Sequence, residues 1–119
     1  MAQRVYKIIS QADWQAMQAA GHLGLAGDDA RDGYIHLSAA EQLAGTLAKH
    51  YAGQTDLVLL AFDAATLGDD LRWEVSRGGA SFPHFYAPLD VAWVVQALAL
   101  ESRNGDTYLP DDWPIEGTA

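Results

Sequence analysis

The spacing of apolar and polar positions changes several times along the chain, and each change marks an element. Val5 to Ile9 is a short apolar run with two β-branched residue types, which predicts a first strand. Ser10 and Asp13 then stand at capping-box spacing. Trp14, Met17 and Ala20 recur at helical intervals, predicting a helix that Gly21 and Gly24 end. Asp28, Asp29, Asp32 and Gly33 read as a polar connection. Tyr34 to Leu37 predicts a second strand. Ser38-Ala39-Ala40-Glu41 repeats the capping-box spacing, with Ser38 expected as the N-cap of a helix whose apolar face is Leu43, Leu47 and Tyr51 and which Gly53 stops. Leu57 to Phe62 is apolar at consecutive positions, as in a central strand covered on both faces.

Asp63 to Asp70 predicts a turn or a single helical turn, after which period two becomes clear. Leu71, Trp73 and Val75 should face one way and Arg72 and Glu74 the other. A loop carrying Gly78 and Gly79 leads to Phe82-Pro83-His84-Phe85-Tyr86, extended because the residue before a proline avoids helix. Val91 to Leu100 is the longest predicted strand. Asn104-Gly105 signals a hairpin, with Thr107 to Leu109 pairing back and Trp113 packing on the body from an acidic, loop-like tail. Two helices come early and strands dominate later. The expected class is α+β, as a single domain over residues 1–119, without internal repeats or low-complexity segments.

Composition narrows the function classes. Half of the 119 residues are hydrophobic, enough for one core, yet no apolar run reaches the length of a membrane span. The opening residues lack the apolar stretch of a signal peptide, so a cytoplasmic protein is expected. Without cysteine there is no disulfide framework, thiolate metal site or thiol nucleophile. The formal charge is -9, and the seven basic residues read as scattered rather than clustered. Nucleic acid and anionic membrane are therefore poor partners, because phosphate backbones are bound through clustered Lys and Arg. A small-molecule ligand fits better, since one or two placed cations can hold a phosphate.

Three segments carry candidate chemistry. Period two puts Tyr34 with His36, Arg72 with Glu74, and His84 with Tyr86, each pair on the face opposite an apolar set. If the segments converge, those faces line a cleft. Each residue also has an ordinary structural role available. His36 and His84 could be satisfied core histidines, Glu74 could pair with Arg72 or Arg77, Tyr86 could be an edge aromatic, and the capping role alone explains Ser38. His22 and His50 fall at expected helix ends and read as structural. Dinucleotide, P-loop, zincin and serine-hydrolase motifs are absent from the sequence.

GYIHLS, LRWE and FPHFY, in that order and at that spacing, resemble the DUF952 family of bacterial domains of unknown function. The resemblance implies a fold similar to ADP-ribosyltransferases, with split antiparallel sheets holding NAD in a cleft. It makes His36 the counterpart of the ribose-binding histidine. Glu74 becomes the candidate for the carboxylate that stabilises an oxocarbenium ion, and His84 a second polar position. Together His36, Glu74 and His84 form the expected catalytic set, with Tyr34, Ser38, Arg72 and Tyr86 as ligand-binding neighbours and no resident metal. A branch of such enzymes that uses two histidines acts on RNA through basic surface, and this acidic chain suits a small nucleotide better.

Three readings follow. The first is an ADP-ribosyltransferase-like domain that binds, and as a possible glycosyltransferase turns over, NAD or a related nucleotide. The second is a non-enzymatic ligand-sensing or interaction module. The third is a metal enzyme in which His36, His84 and Glu74 form a two-His-one-carboxylate set, although no short His-x-His spacing prepares such a site.

Overall fold

The computed structural model describes residues 3–25, 27–75 and 79–110, so the expectations for Arg77, Gly78 and Trp113 lie outside the described residues. In chain order the first half contains β1 (Arg4–Ser10), α1 (Gln11–Ala20), β2 (His22–Leu23), α2 (Asp28–Asp32), β3 (Ile35–His36), a 3-10 turn (Ala40–Gln42) and α3 (Leu43–His50). The second half contains β4 (Leu57–Asp63), α4 (Ala64–Leu67), a 3-10 turn (Gly68–Asp70), β5 (Leu71–Val75) and β6 (Ser81–Phe85). It continues with β7 (Leu89–Asp90), a 3-10 turn (Val91–Trp93), β8 (Val94–Ala99), β9 (Glu101–Arg103) and β10 (Asp106–Tyr108). The class is α+β with antiparallel sheets and few helices. None of the described helices is long and apolar enough to cross a membrane.

β4 is the centre of the first sheet, between β1 and β8, and its consecutive apolar residues are explained by burial on both faces. On one face Val58, Leu60 and Phe62 join Val5 and Ile9 of β1, Met17 of α1, and Ile35, Leu37 and Phe85 from the second sheet. On the other, Leu57, Leu59 and Ala61 join Tyr6 and Ile8 of β1 and Leu43 and Leu47 of α3. The second sheet has the order β3-β6-β5. Tyr6 and Ser38 stitch the two sheets together: each N–H donates to the other's carbonyl, at 2.8 Å from Tyr6 and 2.9 Å from Ser38.

The first helix starts and stops as its sequence predicts. Ser10 Oγ accepts from Asp13 N–H at 3.0 Å, and Gly21, at φ 88°, ends it in the left-handed conformation that glycine adopts without a Cβ penalty. The β9–β10 hairpin likewise turns at Asn104 and Gly105, both with positive φ.

Four expectations are corrected. Ser38 is not an N-cap: its backbone is spent on Tyr6, its hydroxyl shares a 3.0 Å bond with Thr46 Oγ1, and the capping position passes to Ala39. The Ala39 N–H is then satisfied by Gln42 Oε1 at 2.9 Å, and a 3-10 turn precedes α3. The aspartate-rich connection is the short helix α2, ended by Gly33 at φ 85° with its N–H on the Asp29 carbonyl. The long strand begins only at Val94, because Asp90 Oδ1 accepts from Ala92 N–H and opens a 3-10 turn. Trp73 and Val75 do share a face with Leu71, but they are 40% and 73% exposed: β5 is a sheet edge and only its first residue reaches the core.

Candidate functional site

Register brings the three candidate segments together. His36 on β3 lies directly across from His84 on β6, which lies across from Arg72 on β5, so one row of polar groups crosses the second sheet. The opposite face of the same strands holds Ile35 and Phe85 in the core. Burial of that face fixes which way the polar row points. Tyr34, one step before β3, stacks on His84 with ring centroids 4.0 Å apart and also leans on His36 and Tyr86, at 4.8 and 5.3 Å. The two histidine rings meet edge-on at 5.7 Å.

His36 is held by groups from two other elements. Lys7 sits in the middle of apolar β1 on the face of Val5 and Ile9, and it is buried. Its ammonium donates to Asp29 Oδ2 at 3.0 Å and to the His36 carbonyl at 3.1 Å. Asp29, on α2, uses its other oxygen for the His36 backbone N–H at 3.0 Å and for ring Nδ1 at 2.5 Å. One turn-end later, Asp32 Oδ2 lies 2.8 Å from ring Nε2. Each ring nitrogen of His36 thus faces a carboxylate oxygen. Burial by itself would raise the Asp29 carboxyl. The hydrogen bond from His36 and the Lys7 ammonium outweigh it and hold Asp29 below the usual carboxylate range. Asp32 is likewise held low, first by its bond with Arg31.

A second pair lies on the other side of the histidine row. His84, only 3% exposed, has Nδ1 2.8 Å from Glu74 Oε1, and the Tyr86 hydroxyl donates to that same oxygen at 2.6 Å. The Tyr86 bond, then that of His84, hold the Glu74 carboxyl below its usual range, and the same bond raises the Tyr86 phenol. Arg72 lies over the Tyr86 ring at 5.0 Å. With Nδ1 turned to a carboxylate, the Nε2 of His84 is the ring nitrogen left for a ligand, and it has no partner among the described residues.

These side chains meet a cavity of about 470 Å³ at the junction of the two sheets. Of the sequence candidates, Tyr34, His36, Ser38 and His84 line it; Glu74, Arg72 and Tyr86 do not, and stand behind His84. Glu74, expected to face a ligand directly, is thus not among the residues that line the cavity. The scattered basic residues are corrected as well. Lys7, Arg31 and Lys49, three of the seven Lys and Arg, line the cavity, with His36, His50 and His84 of the four histidines. Lys7, Asp29, Asp32 and Lys49 were not anticipated. A lysine inside the apolar run VYKII was the signal available for the first. Among the described residues no group of three His, Cys, Asp or Glu side chains converges as a metal site would require.

Comparison with known proteins adds a family and a fold. The family described as "Protein of unknown function (DUF952)" matches residues 8–97. Protein CC0527 from Caulobacter crescentus is similar in its crystal structure, at 48% identity over 89% of this chain and 94% of that one, with a TM-score of 0.84. Its solution NMR structure is similar too, at 48% identity over 87% and 90% of the two chains, with a TM-score of 0.78. No curated protein matches the chain.

Proposed function

We propose that this chain, which belongs to the DUF952 family, binds a small nucleotide-like anion, with NAD as the leading candidate, in the cavity between its two sheets. The carrying observation is Lys49 with three histidines around one aromatic-edged cavity, whose other cations, Lys7 and Arg31, are balanced by Asp29 and Asp32, in a chain of charge -9. About 470 Å³ falls within the range of ordinary ligand pockets, roughly 300 to 1,000 Å³. Tyr34 offers a face for a planar ring. Lys49, exposed and without a partner among the described residues, is placed to meet a phosphate. His84 Nε2 is the polar group that would meet a ribose hydroxyl, because both nitrogens of His36 already face carboxylates.

The resemblance to ADP-ribosyltransferases is the finer part of this reading. Two antiparallel sheets meeting at one bridge beside a cavity support it. In such a reaction Glu74 would act through His84, fixing its tautomer, rather than at the ribose itself. A second reading, ligand sensing without turnover, is favoured by the internal satisfaction of His36, Glu74 and Asp29. The test is calorimetry with NAD, ADP-ribose and ADP, followed by an assay for nicotinamide release. The parent should bind at least one of them, His84→Asn and Lys49→Ala should weaken that binding about tenfold, near 1.4 kcal/mol, and Glu74→Gln should retain binding. Turnover by the parent that Glu74→Gln loses selects the transferase, and binding without turnover selects the sensor. No binding at millimolar concentration sinks both.

A further inference from the structure

The free edge of β5 carries the complement of itself. Antiparallel neighbours alternate between pairs that exchange backbone bonds and pairs that do not. Pro83 has no N–H, and its carbonyl accepts from Leu37 on the β3 side, so the Trp73–Pro83 pair is one that exchanges none. The Tyr86 N–H donates to the Asp70 carbonyl, which puts residues 70, 72 and 74 in the bonded set. The backbone groups of Leu71, Trp73 and Val75 therefore point off the sheet. Of these, the Leu71 N–H is already closed by the Gly68 carbonyl. What remains is a donor and an acceptor on Trp73, an acceptor on Leu71, and a donor and an acceptor on Val75, none with a partner among the described residues.

We infer that a second copy of this chain pairs with that edge, β5 against β5 antiparallel, with Trp73 on the twofold axis. In this register each Trp73 exchanges two bonds with its counterpart, and each Val75 N–H meets the Leu71 carbonyl of the other copy. Every outward donor is then used and none is needed twice; only the Val75 carbonyl stays open, because the Leu71 N–H that would meet it is closed within its own chain. The side chains are complementary in the same register. Leu71 falls opposite Val75 and tryptophan opposite tryptophan on one face, which covers the two apolar side chains left exposed at 40% and 73%. On the other face Arg72 falls opposite Glu74 twice. Arg72 makes a ring contact with Tyr86 and feels the Glu74 charge of its own strand without a hydrogen bond to it, and Glu74 Oε2 makes no bond among the described residues, so both charges have capacity for the pairing. The strand Leu-Arg-Trp-Glu-Val is thus a charge palindrome about its tryptophan, the property an isologous contact needs. An edge strand is normally guarded by charge or proline against this kind of addition, and the two charges of β5 are instead of opposite sign and complement each other across the axis. The result is a continuous six-stranded sheet with both histidine rows on one side.

Sedimentation equilibrium of the full chain, with amide exchange at Trp73 and Val75, tests the inference. The expected parent is a concentration-dependent dimer whose Trp73 and Val75 amides exchange more slowly as concentration rises. Arg72→Glu and Glu74→Arg should each weaken the dimer about tenfold or more, the double reversal should restore it, and Trp73→Lys, an exposed substitution that spares the core, should abolish it. A chain that stays monomeric at millimolar concentration overturns the inference. So does a dimer indifferent to these substitutions, or a monomer whose two amides are protected, which would mean that another segment covers the edge.

Discussion

A single buried ion pair does more for the candidate site than any residue on its rim. Asp29 joins Lys7, the His36 backbone and the His36 ring, so removing its charge leaves a buried ammonium without a counterion. Asp29→Asn should cost about 3 to 5 kcal/mol at neutral pH. Its pH dependence follows from the low carboxyl. In the unfolded chain the group titrates near 4, so above that value the contribution is fully present. As pH falls, the unfolded state protonates first and the contribution drains away until the folded carboxyl is protonated too. Urea denaturation of parent and variant from pH 7 to pH 3 should show a gap that closes below about pH 4; a constant gap would refute the assignment. At this scale period two was a good guide. It placed Tyr34, His36, Glu74 and His84 on converging faces, because one buried face dictates the other. It missed Asp29 and Asp32: Lys7 reaches Asp29 from 22 positions away, and the bonds of both aspartates to His36 depend on the turn at Gly33 rather than on strand alternation. It also misread Ser38, since capping-box spacing says nothing of a bridge to Tyr6.

Elements whose energetics are local were legible, and those held by distant neighbours were not. α1 carries its own start and stop signals, and β4 its own double-faced run. The Asn104-Gly105 turn needs nothing beyond the hairpin it closes. By contrast β2 and β7 are each two residues long and exist through their pairing with each other, while β3, predicted over Tyr34 to Leu37, is cut to Ile35–His36 by its pairing with β6. α2 is a five-residue helix, too short to persist without the contacts of Asp29 and Asp32, so its polar sequence reads as a connection. The local case is open to measurement. Ser10→Ala removes the acceptor for the Asp13 N–H and should cost about 1 kcal/mol, read by thermal denaturation at neutral pH. Ser10→Asp should recover most of it; equal stability of all three proteins would show that the hydroxyl does nothing for the helix.

At the scale of the whole molecule the two three-stranded sheets share one core, and the cavity opens where Tyr6 and Ser38 join them. The chain around that cavity is acidic, with a formal charge of -9, while the cavity itself is lined by Lys7 and Arg31, paired with Asp29 and Asp32, and by Lys49. The two fields act over different ranges. The envelope repels an approaching anion across a body about 39 by 32 by 29 Å, whereas Lys49, the cavity cation without a carboxylate partner among the described residues, acts at contact. At 0.01 M salt the screening length is roughly 30 Å and the repulsion spans the approach; at 0.15 M it is about 8 Å and the approach is nearly neutral. An anionic ligand should therefore enter faster as salt is added and leave faster as well. This inverts the usual signature of electrostatic steering, in which association slows with salt. Stopped-flow association of ADP across that range should show the rise; a steady fall would mean that the cavity's cations project beyond its mouth and recruit the ligand from a distance.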